Sequence, residues 1–301
     1  MLRIVYFGMT GPFSAPPLEK LLTAGVEVSA VITPSMAAAA DWLPRPLSPP
    51  PPPPADVPLV NPHLEPNMLH LAWRQHIPVW QVKRLSNPST VELLAGLRPD
   101  LIVVACFSLI FPPALLQLPR YGCLNLHPAL LPAYRGPAPL FWMARNDERQ
   151  AGVTLHFLDE GVDTGDIVAQ ATLSWPAGIS GAELERRCAE AGAGLLLAAV
   201  QRLAQGQAVP RRPQPRTGAS YFRWPSEDDL LVPTGWSAQR AFNFVRAVRP
   251  DWPLRIVLGQ ESFFIRVAND YDSNLTLNQP YLFSGDEVWI QFQPGVLKIR
   301  L

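Results

Sequence analysis

Apolar residues in the first two thirds of the chain follow two alternating rhythms. Leu2–Phe7 is a short apolar run rich in β-formers, and Val26–Thr33, Leu101–Cys106 (LIVVAC), Gly122–His127, Val153–Phe157 and Ile167–Leu173 repeat it. Of these, Leu101–Cys106 is uninterrupted, as expected for a central parallel strand covered on both faces. Between them lie segments with helical spacing: Ser14–Ala24, Asn67–His76, Ser89–Leu97, Pro137–Arg145 and the Ala/Leu-rich Ser180–Gln205. Ser14 is placed to cap the first of these, Pro16 or Pro17 suits its first turn, and Gly25 suits its end. Ile77–Trp80 follows the Asn67 segment as a short strand. The alternation predicts an α/β fold with an open, mostly parallel, Rossmann-like sheet and helices on both faces. Ligands of such sheets bind outside the carboxyl ends of the strands, here the ends of Leu101–Cys106 and Gly122–His127.

From about Pro210 the pattern changes. The basic, proline-rich RRPQPR stretch reads as a linker over 209–216, which separates a domain of residues 1–208 from a smaller β-rich one over 217–301. In that second domain Ser237–Val248 reads as a helix. Short β-like runs follow at Arg255–Leu258, Ser262–Val267, Val288–Phe292 and Val296–Leu301. Asn269-Asp270, Ser284-Gly285-Asp286 and Pro294-Gly295 read as the turns between them, giving a barrel-like, OB-like domain. Proline is abundant, with 35 residues, 11 of them between Pro44 and Pro66. The unbroken Pro49–Pro54 favours a polyproline II rod. Segment 44–66 therefore reads as a surface insertion ahead of the Asn67 helix, with docking of a proline-recognition domain as the sharper alternative.

Composition adds exclusions. The chain has 301 residues, 25 basic and 25 acidic, so no global charge points to nucleic acid or membrane. Residues 211–301 carry 11 Lys/Arg against 9 Asp/Glu, 11 − 9 = +2, leaving −2 for residues 1–210. Cys106, Cys123 and Cys188 are too few for a disulfide framework. Cys106 and Cys123 lie in apolar runs and read as buried thiols of a reducing, cytoplasmic compartment. The amino terminus does not read as a signal peptide, and no apolar stretch is long enough to span a membrane.

The chemistry concentrates in Gly122–Pro139, GCLNLHPALLPAYRGPAP. Asn125 and His127 are two apart in a strand and share a face. An amide can donate to a developing oxyanion, and an imidazole can move a proton near neutral pH. The following loop is stiffened by Pro128, Pro132, Pro137 and Pro139. A second cluster, Asp159–Asp166 (DEGVDTGD), forms an irregular acidic loop between two strands. A carboxylate delivered from it to His127 would orient the imidazole and favour its cation. A metal loop is the alternative, but no HExxH or paired-cysteine spacing supports one, so no metal is expected. His156 reads as a structural strand residue, and His63, His70 and His76 as surface or partly packed. Gly8-Met9-Thr10-Gly11 lacks the GxGxxG spacing of a dinucleotide site.

LNLHPALLPAYRGPAP together with GVTLHFLDEGVDTGD resembles the formyltransferase family that uses 10-formyltetrahydrofolate, and LRIVYFGMTGPFSAPPLEKLL and LIVVACFSLIFP resemble it too. The likeness runs through residues 1–205 and more loosely through WSAQRAFNFVRAVRPDWP. It implies that Asn125 holds the formyl oxygen, that His127 transfers protons and that Asp163 pairs with His127. It also implies a folate site lined by Leu109, Ile110 and Phe111, by Ala129, Leu130, Leu131 and Pro132, and by Asp159. The family often has serine where this chain has Ala129, and Tyr-Gly where it has Cys106-Phe107. Arg135 is a candidate for an acceptor phosphate or the folate glutamate, against a loop-bracing contact.

The resemblance leaves the acceptor amine open. The two-domain pattern is closest to methionyl-tRNA formyltransferases, which implies initiator methionyl-tRNA. The insertion, however, holds one basic residue, Arg45, and the second domain is only +2, a weak footprint for RNA. PAYRGPAPLFW, VTLHF and NFVRAV resemble amino-sugar N-formyltransferases equally well, which implies a nucleotide-linked amino sugar. Hydrolysis of formyltetrahydrofolate, with water as acceptor, is a further alternative.

Overall fold

A computed structural model describes residues 2–35, 42–50, 67–249 and 251–301. The remainder of the proline-rich insertion, 51–66, and with it His63, lies outside the described residues. The elements follow in order: β1 Ile4–Gly8, α1 Ala15–Thr23, β2 Val28–Pro34, β3 Arg45–Pro46, α2 Met68–Arg74, β4 Val79–Val82, α3 Pro88–Gly96, β5 Leu101–Ala105, α4 Pro113–Leu116, β6 Cys123–His127, α5 Pro139–Arg145, β7 Gln150–Phe157, β8 Ile167–Ser174 and α6 Gly181–Ala204. After α6 come α7 Ala238–Ala247, β9 Arg255–Leu258, β10 Glu261–Phe264, β11 Val267–Asp272, β12 Tyr281–Ser284, β13 Glu287–Gln291 and β14 Val296–Arg300.

β1 to β8 form one sheet in the order β3-β4-β2-β1-β5-β6-β7-β8. The pairings β1–β2, β1–β5, β2–β4 and β5–β6 are parallel. β3 and β7 join it antiparallel. This is the expected mostly parallel α/β sheet. Val5, Phe7, Ala30, Ile32, Ile102, Val104 and Cys123 alternate along their strands and share a core cluster with Leu94, Phe111 and Leu115. Full burial of such side chains contributes about 1.5–3 kcal/mol each.

The strand order reverses between β1 and β5, and the crevice there is clamped by Ser14. This residue precedes α1 as expected, but its hydroxyl caps nothing. Instead it donates to the Ala105 carbonyl at 2.7 Å and accepts from the Met9 amide at 3.0 Å. Tyr6 donates its phenol to the Ser14 carbonyl at 2.7 Å. The helix ends on Gly25 at φ +72°, whose amide, with that of Val26, closes on Leu22 and Leu21. At the carboxyl end of β5 the chain turns at Cys106, which has φ +60° and is exposed. The buried thiol expected there is thus corrected: the strand ends one residue before it, at Ala105. Cys123 and Cys188 are buried.

The chain divides into two compact units. One comprises Met1–Arg135, Gly152–Ala171 and Arg186–Ala219; the other comprises Gly136–Ala151, Thr172–Glu185 and Ser220–Leu301. In the second, β11-β14-β13-β12 form an antiparallel sheet on which α7 packs, and β9 and β10 form a hairpin. The Asn269-Asp270 turn expected from sequence is not a turn. Both residues lie in β11, where the register with β14 slips between Ala268 and Asp270. A bulge there absorbs the extra residue, so turn-forming residue types did not mark a strand end. β12 and the two-residue β3 carry no sequence pattern that announced them.

Replacing Ser14 by alanine strips partners from the Ala105 carbonyl and the Met9 amide in a buried corner. A loss of about 1–3 kcal/mol is expected, read from the denaturation midpoint.

Candidate active site

β6 presents Asn125 and His127 on one face, and β7 lies antiparallel beside it with Asn125 opposite His156 and His127 opposite Thr154. Register therefore brings four polar side chains to one patch of an otherwise apolar pair of strands. The Asn125 Nδ2 lies 3.0 Å from His156 Nε2 and 3.5 Å from Asp163 Oδ1. The His127 Nε2 lies 2.8 Å from the Tyr134 carbonyl, and its Nδ1 is 3.6 Å from Asp163 Oδ2. A carbonyl can only accept, so His127 carries its hydrogen on Nε2 when neutral and turns the bare Nδ1 toward Asp163. Asn125 and His127 from β6 and Asp163 from the loop after β7 thus meet, as expected.

Asp163 reaches the strands from the acidic loop after β7. The loop folds back so closely that a Cβ on Gly165 would stand 2.0 Å from the Phe157 carbonyl oxygen. Asp159 braces it by accepting from the Gly161 amide at 3.1 Å and the Thr164 hydroxyl at 2.6 Å. Asp163 itself sits at φ +54°, a conformation that costs a non-glycine residue unless its surroundings impose it. They do so through Gln214, whose Nε2 donates to the carbonyls of Asp163 and Gly165, both at 2.8 Å. Arg135 in turn donates to Gln214 Oε1 from Nε at 3.1 Å and from Nη2 at 2.7 Å. Of the two roles weighed for Arg135, its contacts are those of the brace. Residues next to Gln214 are held as well, since Arg212 exchanges backbone hydrogen bonds with Ile167.

The proline-stiffened loop is tied down from β7 and β8. Thr154 donates to the Ala129 carbonyl at 2.6 Å and accepts from the Leu131 amide at 3.1 Å, while Gln170 donates to the Leu131 carbonyl at 2.9 Å. Leu130 packs against Gly152, and Leu131 precedes Pro132 through a cis bond. The loop delivers the Tyr134 carbonyl to His127 from a residue at φ +58°. Leu109, Ile110 and Phe111 follow β5 rather than β6. Phe111 is buried edge-on against Phe7 at 5.0 Å, Leu109 packs on the same core, and Ile110 is 76% exposed.

Burial is the main influence on His127 and pushes its pKa below the ordinary value, while the Asp163 charge pulls it back up and His156 pushes it further down. The neutral imidazole, with a free lone pair on Nδ1, is thus the form present at neutral pH. His156 is the residue that sequence reading set aside. A signal was present: Thr154 and His156 alternate as the polar members of the otherwise apolar Val153–Phe157, and an antiparallel partner strand would face them with Asn125 and His127. Gln214 carried no comparable signal. Among the described residues no group of three or more His, Cys, Asp or Glu is arranged to hold a metal ion, and no helix is long and apolar enough to cross a membrane.

The formyl transferase family profile matches residues 3–200. The chain is 36% identical over 252 residues to the methionyl-tRNA formyltransferase of Citrifermentans bemidjiense, covering 84% of this chain and 73% of that one. It is 32% identical over 252 residues to the methionyl-tRNA formyltransferase of Syntrophomonas wolfei, covering 83% and 73%. Among solved structures, the N-formyltransferase of Helicobacter canadensis in complex with folinic acid and dTDP-3-aminofucose matches with a TM-score of 0.65 at 18% identity, over 100% of this chain and 99% of that one. At that identity the likeness speaks to the fold alone.

Two measurements check the geometry. In an NMR titration His127 should titrate below about 6.5, the ordinary histidine value. In Asp163→Asn it should titrate lower still, because the raising charge is gone. By linkage, His127 contributes stability above about 6.5 that is lost as pH falls through its depressed value, since the unfolded chain binds that proton more tightly. Gln214→Leu removes both bonds to the Asp163 loop and should cost about 1–3 kcal/mol in chemical denaturation.

Proposed function

We propose that this chain, which belongs to the formyl transferase family, carries the formyl group of 10-formyltetrahydrofolate to the methionyl amine of initiator methionyl-tRNA, in the cytoplasm. The observation that carries the mechanism is the fixed tautomer of His127. Its Nε2 hydrogen is committed to the Tyr134 carbonyl, so Nδ1 is the ring's proton acceptor, 3.6 Å from Asp163 Oδ2. As the acceptor amine adds to the formyl carbon, Nδ1 takes the proton the nitrogen must lose. The Asp163 carboxylate stabilises the imidazolium so formed. Asn125 donates an Nδ2 hydrogen to the oxygen on which charge develops. The proton on Nδ1 then returns to the departing folate nitrogen, directly or through a water beside Asp163.

The folate would lie at the carboxyl ends of β5 and β6. β5 pairs with β6 so that Val104 lies opposite Asn125, and the chain after β5 offers exposed Ile110 between half-buried Leu109 and buried Phe111. This segment leaves the sheet at the carboxyl end of β5, the strand paired with β6, where ligands of such sheets bind. Leu109–Phe111 and the Ala129–Pro132 loop would hold the folate ring, with Asp159 shaping the acidic side.

The acceptor assignment rests on the relatives at 32–36% identity over more than four fifths of the chain. A nucleotide-linked amino sugar is the second reading. The observation favouring it is the weak basic character, +2 over residues 211–301 and one basic residue in segment 44–66. Side-by-side assays of formyl transfer to initiator methionyl-tRNA and to dTDP-amino sugars decide between them. Transfer to tRNA that falls steeply with salt is the expected result, and transfer to the sugar alone would overturn it. With the true acceptor, Asn125→Ala should lower kcat by about 10²–10³, the usual cost of one oxyanion donor. Wild-type turnover in His127→Ala would reject the role given to that ring.

A further inference from the structure

We propose that His156 is a positioning residue for the reaction: its neutral ring, protonated on Nδ1, fixes the Asn125 amide so that nitrogen and not oxygen is offered to the formyl oxygen. The inference rests on the reading of Asn125 given above. An asparagine amide has two faces of nearly equal shape, and only one donates. Nothing in β6 chooses between them, but the neighbour across the ladder does. The His156 Nδ1 lies 2.8 Å from the Phe157 carbonyl, which can only accept, so that nitrogen bears the hydrogen. In the neutral ring Nε2 is then a bare lone pair, 3.0 Å from Asn125 Nδ2. Were the amide reversed, its oxygen would face that lone pair, and two acceptors in contact repel. His156 is 0% exposed, so no solvent competes for the bond.

With one Nδ2 hydrogen held by His156, the other is aimed along the line to Asp163 Oδ1. That contact, at 3.5 Å, is at the outer limit for a hydrogen bond. It is a weak placeholder that a better acceptor, an oxygen gaining charge, would displace. The ionisable groups facing His156 are Asp163, with Oδ1 3.6 Å from Nε2, and His127, with ring centres 6.3 Å apart. The two rings thus carry opposite tautomers, His127 on Nε2 and His156 on Nδ1, each set by a backbone carbonyl.

Nitrogen-15 histidine spectra of the wild-type protein test the assignment without any variant. His156 should show a protonated Nδ1 and a bare Nε2, and the reverse pattern would overturn the inference. Kinetics test its consequence, using 10-formyltetrahydrofolate and whichever of methionyl-tRNA or dTDP-amino sugar the wild type accepts. His156→Leu should lower kcat by about 10-fold to 100-fold, less than the 10²–10³ of losing the donor outright, with KM for the folate within about twofold because ground-state binding is not what it serves. His156→Gln, whose amide oxygen can accept in place of Nε2, should restore most of that loss. In the Asn125→Ala background His156→Leu should cost nothing further. A comparable additional loss there would mean that His156 acts otherwise than through Asn125, and would overturn this inference while leaving the reading of Asn125 intact. Wild-type turnover in Asn125→Ala alone would overturn both.

Discussion

The antiparallel pairing of β7 with β6 is the constraint from which the polar cluster follows. The strands β4, β2, β1, β5 and β6 beside it run parallel to one another and are mostly apolar, and they provide a stiff floor. β7 runs the other way, and its register sets Thr154 opposite His127 and His156 opposite Asn125. Because side chains alternate along a strand, a slip of one residue would send both partners to the opposite face. The chemistry therefore depends on a ladder of backbone hydrogen bonds, and through it on the apolar residues that pin β6 and β7 in place.

Backbone carbonyls then do what side chains cannot do for one another. Those of Tyr134 and Phe157 each claim one ring nitrogen, and the two histidines differ in where their hydrogens lie although their surroundings are similar. Asn125 and Asp163 fall between the rings. The tension in this arrangement, a carboxylate beside two bare ring nitrogens, is relieved by one added proton. The proton transfer proposed from an attacking amine would draw on that property.

Much of this could be read from the chain and some could not. The α/β class, the strands and the Asn125–His127 pair followed from apolar runs and a two-residue spacing, which report local geometry directly. The loop carrying Asp163 was visible in its glycines and carboxylates. His156 was read only as a structural strand residue, because a lone histidine in a strand says nothing of its contacts until its cross-strand neighbour is known, and register is a long-range property. Cys106 was misjudged because an apolar run does not mark its own last residue. The bulge at Asn269 shows the same limit from the other side, since residues that favour turns also occur where a strand absorbs an extra position. Gln214 lay in a stretch whose prolines and arginines suggested only a connector.

That last residue has a consequence for how the protein is made and cut. Asn125, His127, His156 and Asp163 all lie before residue 164, yet the carbonyls of Asp163 and Gly165 are stapled by a side chain at position 214. During synthesis the aspartate loop stays unsecured until some fifty further residues have emerged. A fragment trimmed at residue 200, where the match to the family profile ends, would hold the full set of polar groups without the stitch that keeps the carboxylate in its unfavourable backbone conformation. The natural end of the reactive half, judged by what it mechanically needs, lies beyond its last helix.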